Sequence, residues 1–582
     1  MANLSQQRRE KMLAFLETLK EQHSDDDSLI AIGEIEKELK AKKYGLVWEE
    51  HEEAVDVQMK TQIPVFTEIK EKEICADENG AYNFLLEGDN LHSLYLLEKT
   101  HKGKIDVIYI DPPYNTQNKD FVYDDNLIGF DDGFRHSKWL SFMAERLTVA
   151  KKLLSDKGCI FISIDDNEVA QLKLMCDEIF GESAFVTQLV WEKKKKGSFL
   201  SNQITNIKEY VLVYCKNKNM FSGLIGEINS KTETYPCINA SNKRAICKIS
   251  KGIKSNYKEK NYIVPAGTTI SDSTMDIKYI TDLIIEDGIV KEDFEVEGNW
   301  RYSSEAMHNY SVNNELYITN ALYIRRIVSE PRKKMMKDLL PRVGEDDTLS
   351  YNTPIEADNL FNSGWGSNED ADNELIAFFG KQRKFSYPKP VRLIQKLICA
   401  TRLTDAIILD FFAGSGTTGQ AVMELNKQDG GHRKFILCTN NENGICEEVT
   451  YQRLRTVITG KRADGSEYSE GIPANLKYFK TDFVDKDSEE LSDELLEHIT
   501  EMIELEHGIK IDNKKYVMIL TDEEMDEFER NITSYTDLKA VFVNQDILLS
   551  ATQQKLLLDS LSSYVIPDYY FDFELREAGE LW

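Results

Sequence analysis

Nothing in the 582-residue sequence approaches the run of about 20 apolar residues that a membrane-crossing helix needs. The opening stretch, MANLSQQRREKMLAFLETLKEQ, reads as an amphipathic helix and lacks the apolar core of a signal peptide, so the chain is expected to stay in the cytoplasm. The nine cysteines include no C-x-x-C pair and have no histidine at metal-ligand spacing. They are expected to be free, mostly buried thiols, with neither a disulfide nor a structural zinc. No metal is expected in any site. The Gly-Lys-Ser/Thr ending of a phosphate-binding loop is missing, as is any helicase or nuclease motif, so cleavage of a nucleic acid would have to come from a partner.

Positive charge is also scarce. The formal net charge is −29, which at first sight argues against a nucleic-acid partner, because phosphate contact needs lysine and arginine. The average hides a division. Residues 191–270 hold 15 Lys and Arg against 5 Asp and Glu, whereas residues 481–582 hold 8 against 26. A basic middle and an acidic tail suggest two surfaces with two kinds of partner.

What is present is a rhythm. Residues 1–75 read as a charged helical segment. From about residue 82, short apolar runs alternate with helical periods: NFLLEG, KIDVIYI, CIFISID, FVTQLVWEK and EYVLVYCKN as strands, DNLHSLYLLEKTH, HSKWLSFMAERLTVAKKLLSDKG and NEVAQLKLMCDEIFG as helices. Strands separated by helices of this length signify a parallel or mostly parallel α/β sheet. The rhythm is lost over 219–376, which reads as an inserted domain, and returns over 377–480 with PVRLIQKLICAT, AIILDFF, TTGQAVMELNKQ and KFILCTN. One sheet is therefore expected in two sequence pieces, 76–218 and 377–480. The acidic residues 481–582, with strand-like KKYVMIL and LKAVFVN, are expected to form a separate small α/β domain.

Two motifs carry chemistry. Asp111-Pro112-Pro113-Tyr114 directly follows the strand KIDVIYI, and open α/β sheets bind ligands at the carboxyl ends of their strands. The lone pair of an aromatic amine is delocalised into its ring. Asp111 can accept one N–H and the Pro112 carbonyl the other, freeing that lone pair to attack an electrophilic methyl. The paired prolines fix the backbone that presents these acceptors, and Tyr114 offers a face on which a base can stack. Inside a duplex such an amine is out of reach, so the base would have to be flipped out. The second motif, Asp410-Phe411-Phe412-Ala413-Gly414-Ser415-Gly416-Thr417-Thr418, ends a strand and opens a helix. Its glycines allow a ligand close to the backbone, and the N–H groups at the helix start favour a carboxylate. With no phosphate-loop ending and no third glycine, a ligand bearing a carboxylate but no phosphate fits better, such as S-adenosyl-L-methionine.

Together, D-P-P-Y and D-x-F-x-G-S-G-T resemble the amino-methyltransferases of DNA, in the permuted order of the β group. KIDVIYIDPPYNT, Tyr387-Pro388-Lys389-Pro390 before VRLIQKLI, and DFFAGSGTTGQAVMELN are more closely similar to the modification subunit of type III restriction–modification systems, a resemblance covering about 82–475. It implies a Rossmann-like S-adenosylmethionine-dependent methyltransferase sheet with an inserted target-recognition domain, acting on N6 of adenine in double-stranded DNA. It further implies a homodimer and a helicase–nuclease restriction subunit as partner. Asp111, Pro112, Pro113 and Tyr114 would hold the base. Asn115 and Asp410, Phe411, Phe412, Ala413, Gly414, Ser415, Gly416 and Thr417 would line the cofactor, with Lys389 and Pro390 covering it. Asp89 would contact the adenine end of the cofactor, or simply cap the helix that follows. An acid is often found after the strand KFILC in this group. Here Thr439-Asn440-Asn441-Glu442 follows, leaving Asn440 and Glu442 as alternatives for the ribose.

Lys193, Lys194, Lys195 and Lys196 form either a solvated turn or a phosphate contact beside the pocket. Methylation of a cytosine ring carbon requires a cysteine in a Pro-Cys loop, and Pro236-Cys237 lies in the irregular insert. N4 of cytosine remains an alternative target, and a DNA-reading scaffold for a nuclease partner is the alternative of a different class.

Overall fold

Runs such as YNFLLE and IDVIYI are apolar at nearly every position and buried on both faces, as strands of a parallel sheet covered by helices must be. The computed structural model describes residues 4–23, 25–40, 48, 51–78, 80–116, 135–194, 204–272, 275–343, 355–380, 385–560 and 562–579. They fall into two compact units, one of residues 1–224 with 336–582 and one of residues 225–335.

The first unit is built on a ten-stranded sheet. Its strands are β1 (Gln62–Glu68), β2 (Tyr82–Glu87), β3 (Ile105–Ile110), β4 (Leu154–Ile164), β5 (Phe185–Glu192), β6 (Lys208–Cys215), β7 (Leu339–Leu340), β8 (Ile407–Asp410), β9 (Lys434–Thr439) and β10 (Asn475–Asp485). Their order across the sheet is β1-β10-β2-β9-β8-β3-β4-β6-β5-β7. The run from β10 to β4 is parallel, while β6 runs antiparallel to both β4 and β5. Helices Asn90–His101, Arg135–Leu153 and Val169–Phe180 bury Leu94, Leu147 and Leu172 in the core on one face. Helices Val391–Ala400, Thr417–Asp429 and Tyr451–Thr459 bury Leu397, Val422 and Leu454 in the core on the other.

The two sequence pieces of the sheet meet where β3 pairs with β8, Val107 opposite Ile408 and Ile108 opposite Leu409. The helix after β8 leads to β9 on one side of this seam, and the helix after β3 leads to β4 on the other. The strands stay parallel there, but the direction in which successive strands are added across the sheet reverses, so a crevice opens beyond the carboxyl ends of β3 and β8.

Three expected boundaries change. The described part of residues 1–75 carries the helices Leu4–Gln22, Asp26–Lys40 and Ala54–Met59 but then supplies β1, which pairs antiparallel with β10 along its whole length. The insert spans 225–335 rather than 219–376, because its first and last strands, Ile225–Asn229 and Arg332–Met335, pair with each other at its stem. Beyond the stem, β7 pairs with β5 and the helix Asn368–Phe379 packs Phe378 into the main core. The tail does form its own parallel sheet, Tyr516–Ile519, Ala540–Asn544 and Ser562–Ile566, yet it is not a separate unit. Phe542, Ile566 and Phe571 share a core with Leu94 and Leu97, and Lys99 pairs with Glu574 at 2.6 Å.

Residues 225–335 have a core of their own, centred on Ile249, Tyr279, Phe294 and Val296, inside seven- and four-stranded sheets. Eight of the nine cysteines in the chain are buried, and all nine are unpaired. No helix among the described residues is long and apolar enough to cross a membrane.

Leu409 is fully buried in the middle strand of the seam. Leu409→Ala is expected to cost about 2–5 kcal/mol, seen as a lower urea midpoint with an unchanged slope.

Candidate functional site

A cavity of about 410 Å³ lies beyond the seam, lined from β3 by Asp111, Pro112, Pro113 and Tyr114 and from β8 by Asp410, Phe412, Ala413, Gly414, Ser415 and Thr417. Two loops some 300 residues apart in sequence thus share one space because their strands are neighbours. Phe385, Tyr387, Pro388 and Lys389 form a further wall.

The turn after β8 is held from beneath. Asp410 Oδ1 accepts the Phe412 N–H at 3.0 Å, and its Oδ2 accepts the Thr418 hydroxyl at 2.5 Å. Gly414 has φ +48, and a Cβ there would stand 2.9 Å from the Phe385 ring, so the position demands glycine on two counts. Arg453, fully buried, reaches from the helix Tyr451–Thr459 to donate to Thr417 Oγ1 at 2.9 Å, Ser415 Oγ at 3.1 Å and Gln420 Oε1 at 2.7 Å. Asp410 is enclosed by apolar neighbours. Desolvation outweighs its two hydrogen bonds, and its carboxyl is pushed up to about 7.

The D-P-P-Y loop is anchored differently. The Trp139 indole N–H donates to the Pro113 carbonyl at 2.8 Å. Asp111 receives Lys389 Nζ on both oxygens at 2.9 Å and the Tyr114 hydroxyl on Oδ1 at 2.8 Å. Lys389 also lies 3.4 Å from Glu209, which in turn accepts Lys193 Nζ at 2.9 Å. Burial drives Asp111 above the ordinary carboxylate range, and the Lys389 ammonium pulls it only part of the way back. Burial also works against charge on Lys389, but Asp111 and Glu209 together outweigh it and raise that lysine above its usual value. Glu209, also opposed by burial, is held below the ordinary range by Lys389 and Lys193. Removing one member of such a buried set leaves another charge uncompensated, at about 3–5 kcal/mol.

Several expected residues sit elsewhere. Phe411 is wholly buried in the core and does not line the cavity; its carbonyl accepts the Asn90 amide at 2.8 Å. Gly416 also lies outside the lining; as the N-cap of the helix it has φ +77 with Thr450 at its back. Asn115 turns away, donating to the buried Glu168 at 2.6 Å. Asp89 accepts the Leu91 N–H at 2.8 Å as a helix cap and pairs with Arg146 at 3.3 Å. Pro390 starts the helix Val391–Ala400, and Lys389, in the cavity wall, pairs with Asp111 and Glu209. Lys193 lines the cavity and pairs with Glu209, because β5 ends beside the buried carboxylate on β6. Lys194 lines the cavity; Lys195 and Lys196 lie outside the described residues. Asn440 and Glu442 follow β9 outside the cavity lining, and Asn440 Oδ1 is buried with no hydrogen-bond partner. A buried acceptor left open in this way suits a ligand hydroxyl.

Sequence reasoning missed Glu209, Arg453 and Glu168. The first had a faint signal, an acid inside the otherwise apolar run EYVLVYC. Arg453 and Glu168 act through contacts across the fold that no local spacing encodes.

A parallel sheet with a crevice at its reversal point, one side acidic and rigid, the other glycine-lined, defines a Rossmann-like catalytic domain. The chain belongs to the DNA methylase family, whose model matches residues 105–451. It is 34% identical over 412 residues to the type III restriction-modification enzyme StyLTI Mod subunit of Salmonella typhimurium, covering 65% of this chain and 56% of that one. It is 33% identical over 403 residues to the type II methyltransferase M.KpnI of Klebsiella pneumoniae, covering 68% and 90%. The EcoPI Mod subunit of Escherichia phage P1 is 32% identical over 397 residues, covering 63% and 58%. The chain therefore spans little more than half the length of these two type III relatives. Among solved structures, an M1.HpyAVI–SAM complex matches at 14% identity with TM-score 0.28, over 64% of this chain and 97% of that one. PvuII DNA methyltransferase (cytosine-N4-specific) matches at 10% identity with TM-score 0.31, over 65% and 91%.

Asp410 generates a pH prediction. A carboxyl whose value rises to about 7 on folding penalises the native state increasingly from about pH 4 to pH 7. Asp410→Asn keeps an acceptor for Phe412 and removes that penalty. The variant, without cofactor, is expected to gain on the order of a few kcal/mol over the parent at pH 8 and nothing at pH 4. Thermal melts across this range check it.

Proposed function

We propose that this chain is a site-specific DNA methyltransferase that transfers a methyl group from S-adenosyl-L-methionine to N6 of adenine. It would serve as the modification and recognition subunit of a type III restriction–modification system. The observation that carries the reading is the shared cavity: Asp111 and Tyr114 face Phe412, Gly414 and Thr417 across one space at the seam of the sheet. Membership of the DNA methylase family and the likeness to Mod subunits support it.

The residues present fit the cofactor. Gly414 leaves a cradle that a Cβ would fill, Ser415 and Thr417 are steadied by Arg453, and Asn440 keeps a buried acceptor for a ribose hydroxyl. This gives Asn440 the ribose role over Glu442. When bound, S-adenosylmethionine would supply an electrophilic methyl on a cationic sulfur that leaves as a neutral thioether, and the amine, once methylated, would release one proton through its hydrogen bond to Asp111.

The remaining work belongs to the protein. The target base is flipped out of the duplex, at a cost of a few kcal/mol, into the space between the two loops. Asp111 accepts one amine N–H and the Pro112 carbonyl the other, directing the nitrogen lone pair at the methyl. Rate acceleration comes from positioning and from these preorganised acceptors. Residues 225–335 form the target-recognition element in this reading, and Lys194 meets the DNA at the rim. A homodimer and a helicase–nuclease restriction subunit, on double-stranded DNA in the cytoplasm, complete the reading.

Asp111→Ala is expected to retain binding of labelled S-adenosylmethionine while methyl transfer falls by at least about 100-fold. Substantial residual transfer would refute the role of Asp111. Base-resolved mapping of DNA from cells expressing this chain alone is expected to show N6-methyladenine at one sequence; N4-methylcytosine alone would overturn the choice of target.

A further inference from the structure

Glu209 has no part in the chemistry just described, yet it sits in the wall of the same cavity. It is the second residue of β6, paired across to Trp191, and is 6% exposed. On the same face of the strand, Val211, Val213 and Cys215 are buried in the apolar core, and a buried carboxylate costs several kcal/mol unless compensated. Glu209 is compensated, and the way it is compensated ties it to Asp111. Its Oε1 accepts Lys193 Nζ at 2.9 Å. Its Oε2 lies 3.2 Å from the Tyr114 hydroxyl and 3.4 Å from Lys389 Nζ. Both Tyr114 and Lys389 also hold Asp111.

The donors can be counted. An ammonium has three N–H groups; Lys389 has Asp111 Oδ1, Asp111 Oδ2 and Glu209 within reach of them. A phenol has one O–H, so Tyr114 donates to Asp111 or to Glu209 but not to both. With Tyr114 on Oδ1, three of the four acceptor sites of Asp111 are filled, and one on Oδ2 is left for an incoming N–H. If the Tyr114 hydrogen passes to Glu209, a second site opens on Oδ1 and no buried hydroxyl is left unpaired.

We infer that Glu209 is a positioning residue for methyl transfer: it shares Lys389 and Tyr114 with Asp111, fixes how the Asp111 carboxylate faces the amine, and takes over the Tyr114 hydrogen bond when the base arrives. The inference rests on the proposed methyltransferase reading. Around Asp111 stand Lys389, Glu209, Tyr114, Tyr109 and Asp410, and Glu209 itself faces Lys193 and Asp165. The negative charge of Glu209 favours the protonated form of Asp111. Removing it should make Asp111 the stronger acid, and removing Lys193 should do the reverse.

The test uses full-length protein, labelled S-adenosylmethionine and DNA carrying the mapped site, with kcat and kcat/KM followed from about pH 5 to pH 9. Glu209→Gln is expected to lower kcat about 10- to 100-fold, the scale of a misplaced catalytic group. KM for the cofactor should stay unchanged, and the acid limb of kcat/KM should move to lower pH. Lys193→Gln is expected to move that limb to higher pH, and serves if the first variant folds poorly. The second readout is the pH dependence of melting of the cofactor-free protein. Its loss of stability as pH rises above about 4 should be shallower in Glu209→Gln than in the parent. Unshifted limbs in both variants, or a kcat loss with the parent's pH profile, overturn the role of Glu209 while leaving the methyltransferase reading intact. A parent protein that transfers no methyl removes both.

Discussion

The pairing of β3 with β8 is the constraint from which the site follows. Those strands come from pieces of sequence some 300 residues apart, and they lie side by side because Val107 and Ile108 match Ile408 and Leu409 in a parallel ladder buried on both faces. Parallel strands joined by crossovers present all their carboxyl ends at one edge. A loop that begins at Asp111 and a turn that begins at Asp410 therefore cannot avoid each other. Strand pairing brings the two loops together, and long-range contacts then fix each one, Trp139 and Lys389 on the D-P-P-Y loop and Arg453 on the glycine turn.

Charge inside this crevice is managed in two different ways. Asp410 has hydrogen bonds but no cation, and the low dielectric pushes its carboxyl up to about 7. Asp111 and Glu209 have Lys389 between them, with Lys193 behind, so four charges, two buried and two partly exposed, sum to neutrality. Such clusters add little net stability, since desolvation offsets most of the Coulomb attraction. What they supply is direction. Four charges that satisfy one another in a single arrangement hold the Asp111 carboxylate in one orientation, as a purely apolar wall could not. The prolines restrict the same residue from the backbone side.

Much of this was legible in sequence. Most strands and helices of the sheet fall within a residue or two of their apolar runs, because burial on both faces leaves little room for polar interruptions. The exception is β4, which begins at Leu154, five residues before the run CIFISID, so that the preceding helix ends at Leu153 and not at Gly158. The two motifs were legible because their chemistry is local: four adjacent residues make one loop. The rest was not, and for one reason. Glu209, Arg453 and Glu168 act on partners in distant elements, and nothing beside them in the chain reports it. Lys389 was found by its neighbours Pro388 and Pro390, but its partner lies 278 residues away. The strand β1 follows helical sequence and has its pairing partner, β10, near residue 480. The boundary of the insert depended on a stem pair, 225–229 with 332–335, that has no turn signal between its halves.

The basic window shows how far a charge count can be carried. Residues 191–270 are strongly basic in sequence, but the fold pairs several of those side chains with acids from later segments. Arg244 meets Asp276 at 2.7 Å and Glu297 at 3.4 Å, Lys248 meets Asp293 at 3.2 Å, and Lys193 meets Glu209. In the second unit these acids are Asp276, Asp293 and Glu297; Asp276–Tyr279 pairs antiparallel with Phe294–Asn299, which pairs antiparallel with the basic strand Arg244–Ile249. A linear excess of lysine and arginine thus becomes, in part, a cross-strand lattice of opposite charges. In the proposed reading, phosphate contact would come from the cations the sheet leaves uncommitted, and those are set by strand pairing and not by composition. The same logic applies to the acidic tail, where Glu504, Glu506 and Glu574 are spent on Lys477, Lys104 and Lys99 of the main unit. These pairs, with the apolar residues beside them, fasten the tail's small sheet to the catalytic core.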